Sequence, residues 1–394
     1  MGMTVIHSAR LVTAATDTPD AWVRFDGARV TGVGSGDTWR DETDAAAAVV
    51  DAAAVAGDDA VLTPGFIDLH GHGGAGASYD DDADAIRRGR ALHRAHGTTR
   101  ALISLVTASI DDLAARAAVV ADVAATDADV LGSHLEGPFL DPAHKGAHDE
   151  RLLVDPTPEA IDRLLAAGRG TVRQVTLAPE LPGATAAIAR LRAAGTVPAV
   201  GHTSADYDQA RAAFDAGAGI LTHAFNAMPA LHHRAPGPVA AAAATPGVTL
   251  EVIADGVHLH PETVRIAFAA APGRIALVTD AMAAAGHPDG RYVLGGLEVD
   301  VEAGVARLHR GTRAIAGSTL TQDTALRRCV AAGVTLPDAV RALTSTPART
   351  LGRHDLGDLR IGMLADAVLL TGDLRVRQVW TAGARTPGAA DAPA

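Results

Sequence analysis

Residues Val61 to Gly74 read VLTPGFIDLHGHGG. Val61 and Leu62, then Phe66, Ile67 and Leu69, predict a buried strand, and Pro64-Gly65 makes the bend that admits it to a core. His70 and His72 follow at its C-terminal end. Side chains alternate faces along an extended chain, so residues two apart point the same way and two imidazoles can reach one ion. Gly71, Gly73, Gly74 and Gly76 leave room around them. In a chain with 17 histidines such a pair is weak evidence for a metal by itself, and its surroundings have to decide.

Working outward, apolar strand-like runs alternate with helical segments from Val61 to about Gly352. Eight such runs occur: VLTPGFIDLH, TTRALISLVT, DVLGSHLEG, VRQVTLAPE, VPAVGHTS, GILTHAFNAM, VTLEVIADGVHLH and RIALVTDAM. Between them, stretches such as SIDDLAARAAVVADVAA carry apolar residues at helical spacing, with Ser109 and Asp111 as helix-start residues. The alternation predicts an α/β fold, a (β/α)8 TIM barrel, with a doubly wound sheet as the alternative. What favours the barrel is where the polar residues fall. His70 and His72 end run one, His134 and Glu136 run three, His202 run five, His223 run six, His258 run seven and Asp280 run eight. Barrel active sites are built at that C-terminal mouth.

The flanks read differently. Thr4 to about Val55 is short and extended, with turns at Asp26-Gly27 and Gly34-Ser35-Gly36, and Ala365 to Ala384 supplies similar strands. Too few apolar faces occur in either flank for independent folding, so both ends are expected to share a small β-sandwich domain. The expected division is 1–60 for its first part, 61–352 for the barrel and 353–394 for its second part and tail. Gly286 to Ala314 predicts a small β excursion from the mouth, Gly317-Ser318 a helix start, and the DAPA tail after Pro387 disorder.

Composition excludes several classes. Hydrophobic residues at 48% with 20% charged residues describe a globular protein, and no run nears the roughly 18 apolar residues of a membrane span. The opening MGMTVIHSAR lacks a basic region before an apolar block, which points to a cytoplasmic protein. A net charge of -12 argues against a nucleic-acid or anionic-membrane binder. A single cysteine, Cys329, excludes an internal disulfide, and Lys145 is the only lysine.

Glu136 makes a metal hard to avoid. An apolar strand ending in a carboxylate must pair it, bond it or coordinate it. With His202 and His223 at the ends of later runs, a three-ligand site with a position open for water is the better account. The motifs PGFIDLHGHGG, HLEGPF with KGAH downstream, GHTSA, THAFNAM, DGVHLHP, LVTDAM and IAGSTL together resemble those of N-acetylglucosamine-6-phosphate deacetylases of the amidohydrolase superfamily. HLEGPF followed by KGAH is the most specific of them.

The resemblance implies a site residue by residue. Glu136, His202 and His223 match metal ligands, and His70 and His72 match a second-metal pair that only one branch of the family keeps. One or two divalent ions are therefore expected, zinc first, with iron, manganese or cobalt as alternatives. Asp280 matches the proton-transfer carboxylate. Ala147, His148, Asn226, Ala227, Arg234, His258, Ile315, Ala316 and Gly317 match substrate contacts, with His148 or His258 as an oxyanion partner and Arg234 as a phosphate fork. His134 matches no role and is expected to be a packed or orienting histidine.

The implied reaction is hydrolysis of the acetamide of a small phosphosugar, N-acetylglucosamine 6-phosphate, by an enzyme expected to be a homodimer. Alternatives are the galactosamine epimer, a cyclic amide or a base to be deaminated, and a non-catalytic barrel scaffold. Many cyclic amidohydrolases carry a carboxylated lysine on the fourth strand, and VRQVTLAPE contains none. A scaffold would be expected to lose ligands, and here every ligand position is filled.

Overall fold

The computed structural model describes residues 2–42 and 47–387, so the tail after Pro387 lies outside the described residues. Eight parallel strands follow the eight runs: β1 (Phe66–Asp68), β2 (Thr98–Val106), β3 (Val130–Glu136), β4 (Val172–Leu177), β5 (Val197–Val200), β6 (Ile220–Leu221), β7 (Thr249–Val252) and β8 (Ile275–Leu277). Their order in the sheet is the order of the chain, from β1 to β8. A doubly wound sheet reverses direction part-way, and this one does not. The result is a nearly closed (β/α)8 barrel.

One helix follows each strand: α1 (Ala83–Ala95), α2 (Ile110–Thr126), α3 (Pro158–Gly168), α4 (Ala184–Ala193), α5 (Tyr207–Asp215), α6 (Gly237–Ala244), α7 (Pro261–Ala270) and α8 (Gln322–Ala331). Their starts are set by side chains that accept orphan backbone hydrogens. Ser109 accepts from Asp112 N at α2, Thr157 from Ala160 N at α3, and Asp206 forms a reciprocal capping box with Gln209 at α5.

The chain divides into two compact units, Met1–Asp68 with Ala91–Arg100 and Thr321–Ala394, and Leu69–Arg90 with Ala101–Leu320. In the first unit strands from both chain ends form one eight-stranded sheet. Met3–Val12 pairs antiparallel with Asp17–Asp26 and parallel with Val61–Pro64, which in turn pairs with Ala367–Leu370. Its core gathers Ile6, Val23, Phe25, Leu62, Leu369 and Trp380, so neither end buries an apolar face without the other. The run expected as one strand from Val61 is thus two strands. Gly65 makes the break: its N–H bonds Asp366 O at 2.8 Å, and a Cβ there would lie 2.2 Å from Thr99 Oγ1.

In the second unit the excursion is a three-stranded antiparallel sheet of Gly290–Leu294, Leu297–Glu302 and Val305–Leu308. Val299, Val301, Ala306 and Leu308 pack there with Met282 and Ala147. The helix expected at Gly317-Ser318 begins instead at Gln322. Gly317 has φ +66°, and Ser318 bonds back along the loop after β8, Oγ to Thr279 O at 2.6 Å and N to Asp280 O at 2.7 Å. Two further bonds fasten the loops beyond β1 and β8, Asp280 N to His70 O at 2.8 Å and His72 N to Ala281 O at 2.7 Å.

Candidate active site

Alternation along the strands decides which polar groups face the barrel interior. His134 and Glu136 on β3, and Gln174 and Thr176 on β4, are two apart and share the inner face with Glu251 of β7. Glu136, at the end of β3, is the hub. Its Oε1 lies 3.2 Å from His202 Nε2, 3.2 Å from His223 Nε2 and 3.3 Å from His70 Nε2. Its Oε2 lies 3.1 Å from His72 Nε2 and 3.5 Å from His148 Nε2. Asp280, past β8, completes the ring with Oδ1 3.3 Å from His72 Nε2 and 3.5 Å from His70 Nε2. All seven side chains are buried.

The outer ring nitrogens fix the tautomers. His72 Nδ1 donates to Ser104 O at 3.2 Å, His202 Nδ1 to His144 O at 2.8 Å and His70 Nδ1 to Glu251 Oε2 at 3.1 Å. A carbonyl or carboxylate only accepts, so a hydrogen sits on Nδ1, and each ring when neutral turns an Nε2 lone pair inward. These inner nitrogens crowd: His202 and His223 are 2.9 Å apart, and His70 and His72 3.1 Å. Lone pairs this close repel unless a proton or a cation is shared among them.

The charge balance makes the same demand. Burial would depress His70 and His72, yet Glu136 and Asp280 offset it and hold His70 well above the ordinary histidine value and His72 at about 9. Burial would raise the two carboxyls, but His70 above all holds Glu136 well below the usual range and Asp280 at about 2. Two buried carboxylates thus require compensating positive charge, which protons on His70 and His72 or a divalent cation in their place can supply. Two groups have ligand atoms within 4.8 Å of one another, His70 with His72 and Asp280, and Glu136 with His148 and His202. Imidazole nitrogen with carboxylate oxygen suits a transition-metal dication, and these residues fit one.

The match to known families agrees with that donor set. The model of the amidohydrolase family matches residues 61–386. This chain belongs to the amidohydrolase family. Amidohydrolases are metal-dependent. The chain is 43% identical to an N-acetylgalactosamine-6-phosphate deacetylase of Escherichia coli O157:H7, over 83% of this chain and 88% of that one. It is 36% identical to an N-acetylglucosamine-6-phosphate deacetylase of Vibrio furnissii, over 84% of each. A solved mutant of N-acetyl-D-glucosamine-6-phosphate deacetylase from Mycobacterium smegmatis, in complex with N-acetyl-D-glucosamine-6-phosphate, superposes with a TM-score of 0.91 at 43% identity, covering 98% and 99% of the two chains.

In this amidohydrolase a cavity of about 320 Å³ opens over the cluster. Ala147, His148, Asn226, Ala227, His258, Ile315 and Gly317 line it together with Glu136 and Asp280. Ala316 is fully buried behind its neighbours. Arg234 is not brought to this cavity. It is exposed and lines a second one with Tyr207, Asp208 and Pro236. His134 stands behind His70, ring centroids 4.5 Å apart, held between Ser104 Oγ at 2.9 Å and Thr176 Oγ1 at 2.8 Å. Burial, then the neighbouring His70, pushes it well below the ordinary histidine value, the condition of a packed, orienting ring.

Two hydrogen-bond chains separate His148 from His258. Thr107 spends its only hydroxyl hydrogen on Glu136 O at 3.1 Å, so His148 Nδ1 must donate to Thr107 Oγ1 at 2.8 Å. Burial holds His148 at about 4, and the neutral ring presents Nε2 as an acceptor. His258 is the opposite case. Asp255 Oδ2 takes its Nδ1 hydrogen at 2.7 Å, while Asp255 Oδ1 accepts from Val257 N and His258 N at 2.8 Å each. Burial lowers His258, Asp255 raises it further, and the net shift is upward. Asp255 and Glu251 have no part in the sequence reading above. A carboxylate inside the apolar run VTLEVIADG is the same signal that singled out Glu136.

Proposed function

We propose that this amidohydrolase hydrolyses the acetamide of N-acetylglucosamine 6-phosphate to glucosamine 6-phosphate and acetate, in amino-sugar catabolism. The observation that carries the reading is Asp280, an ionised carboxylate at the cavity floor beside His70 and His72, facing the Glu136 hub. The names of the relatives support the substrate. Glu136, His202 and His223 would hold one divalent ion, and His70 and His72 with Asp280 a second, with zinc the first choice and iron, manganese or cobalt compatible with the same donors. Such an ion polarises the amide carbonyl and makes water nucleophilic near neutral pH.

The chain's own residues do the rest. Asp280 accepts the proton of the attacking water and returns it to the sugar nitrogen as the C–N bond breaks, leaving acetate and a free amine. His258, whose pKa Asp255 raises against the effect of burial, is the imidazole better suited to donate to the oxygen on which negative charge gathers. His148, an acceptor, is suited to the hydrogens of substrate or water instead. Among the described residues no arginine or lysine lines the cavity, so the phosphate must be met from its rim. Exposed Arg234 is our choice, in a cytoplasmic homodimer.

Acetate release from N-acetylglucosamine 6-phosphate, its galactosamine epimer and unphosphorylated N-acetylglucosamine tests this. The 43% identity to the Escherichia coli enzyme favours the epimer as the second reading, and the rate ratio decides between them. Charge-assisted bonds are about twice as strong as neutral ones. Wild-type protein should strongly prefer the phosphosugar, and Arg234→Ala should lose most of that preference. Equal wild-type rates with and without phosphate would remove the phosphosugar and leave a metal-dependent amidohydrolase.

A further inference from the structure

Glu251 is a fully buried carboxylate in the middle of β7. Among the described residues its partners do not include an arginine or a lysine. Gln174 Nε2 donates to Oε1 at 2.7 Å, and His70 Nδ1 at 3.1 Å and His223 N at 3.3 Å both reach Oε2. A buried charge held only by an amide, an imidazole and a backbone N–H is poorly compensated where it stands. The compensation lies one ring away, because the other nitrogen of that imidazole is one of the inward-facing donors. Gln174 belongs to this arrangement too: its Oε1 is buried without a partner among the described residues, so its amide is spent on orienting Glu251.

We propose that Glu251 is a positioning residue that aims His70 at the ion held by His70, His72 and Asp280. The proposal rests on the two-ion reading above. Imidazoles that ligate metals commonly donate their other hydrogen to a carboxylate, which fixes the ring's orientation and strengthens it as a donor. Of the rings around Glu136, His70 is the one so equipped: His72 and His202 donate to backbone carbonyls, His148 to a hydroxyl, and His223 Nδ1 has no partner among the described residues. The asymmetry marks His70 as the ligand whose aim and basicity are set by charge. Glu251 meets His223 at the backbone N–H alone, a bond that the amide oxygen of Glu251→Gln can still accept, so the ion on Glu136, His202 and His223 is expected to keep its seat in that variant.

The test compares wild type, the isosteric Glu251→Gln, Glu251→Ala and His70→Ala. Zinc equivalents are counted by elemental analysis across a chelator series, and far-UV circular dichroism and Tm are recorded on the chelated proteins. Glu251→Gln keeps the volume and one acceptor oxygen, so it stays informative if Glu251→Ala fails to fold. The expected result is that one zinc equivalent binds about 10- to 100-fold more weakly in Glu251→Gln, as the corresponding equivalent does in His70→Ala, while the other stays at wild-type affinity. Two equivalents held as tightly as in wild type overturn the proposal and leave the two-ion reading intact. Equal weakening of both equivalents also overturns it, because Glu251 then acts on the fold. A wild type holding a single equivalent that His70→Ala leaves in place overturns the two-ion reading and the proposal with it.

Discussion

Asp280 has φ 48°, and His202 and His223 have φ 47° and 27°, all in the left-handed region that most side chains avoid. Asp, Asn and His tolerate that region better than other residues, which narrows what can replace them. Asp280→Asn keeps the backbone conformation accessible and removes the proposed proton acceptor. It is expected to retain the fold and the ion seated on Glu136, His202 and His223 while kcat falls by at least about 10²-fold, measured alongside elemental analysis. Near-normal turnover in the loaded variant would take Asp280 out of the mechanism. At this scale Glu136, His202, His223 and Asp280 were legible because each closes an apolar run, where a charge or imidazole needs a reason. Glu251 was hidden inside its run, three residues before the apolar stretch ends. The division of labour between His148 and His258 was not legible at all: it turns on the single hydrogen of Thr107 and on Asp255, contacts that only the folded loops create.

The helix α8 begins four residues later than Ser318 suggests, and its first turn holds a buried acid. Thr321 Oγ1 donates to Asp323 Oδ1 at 2.6 Å, His96 Nδ1 lies 3.0 Å from the same oxygen, and Arg327 Nη1 donates to Oδ2 at 2.9 Å. Burial would raise this carboxyl, yet His96, Thr321 and Arg327 together hold it well below the ordinary aspartate value. A depressed folded-state pKa contributes stability that is fully present above the unfolded value of about 3.9 and is lost as pH falls through the folded one. Asp323→Ala should therefore cost about 1–3 kcal/mol in denaturant unfolding at pH 7, with the gap to wild type narrowing below about pH 4. A gap independent of pH would show that packing, not charge, sets the loss. Strand existence was legible from apolar runs, whereas boundaries were not. The split at Gly65 depends on the close approach of Thr99, and the delayed start of α8 on hydroxyl bonds from Ser318 to the loop after β8.

Over the whole molecule the eight runs became eight strands in chain order because each is apolar enough to be covered on both faces, as parallel sheets require. Crowded inner nitrogens and two buried carboxylates are expected to make the second unit's stability depend on the divalent ions they would hold. A ligand at about 100 times its Kd adds about 2.7 kcal/mol. Chelation should accordingly lower Tm by on the order of 5 °C or more, and restoring zinc should reverse it, as read by calorimetry. An unchanged Tm would mean that protons balance the cluster as well as metal does. The loops beyond β1 and β8 are fastened through Asp280 itself, whose N–H bonds His70 O and whose carbonyl accepts from Ser318 N. Any breathing of the barrel along that join would carry the proposed proton carrier away with it. On that reading, turnover would require the join to be closed.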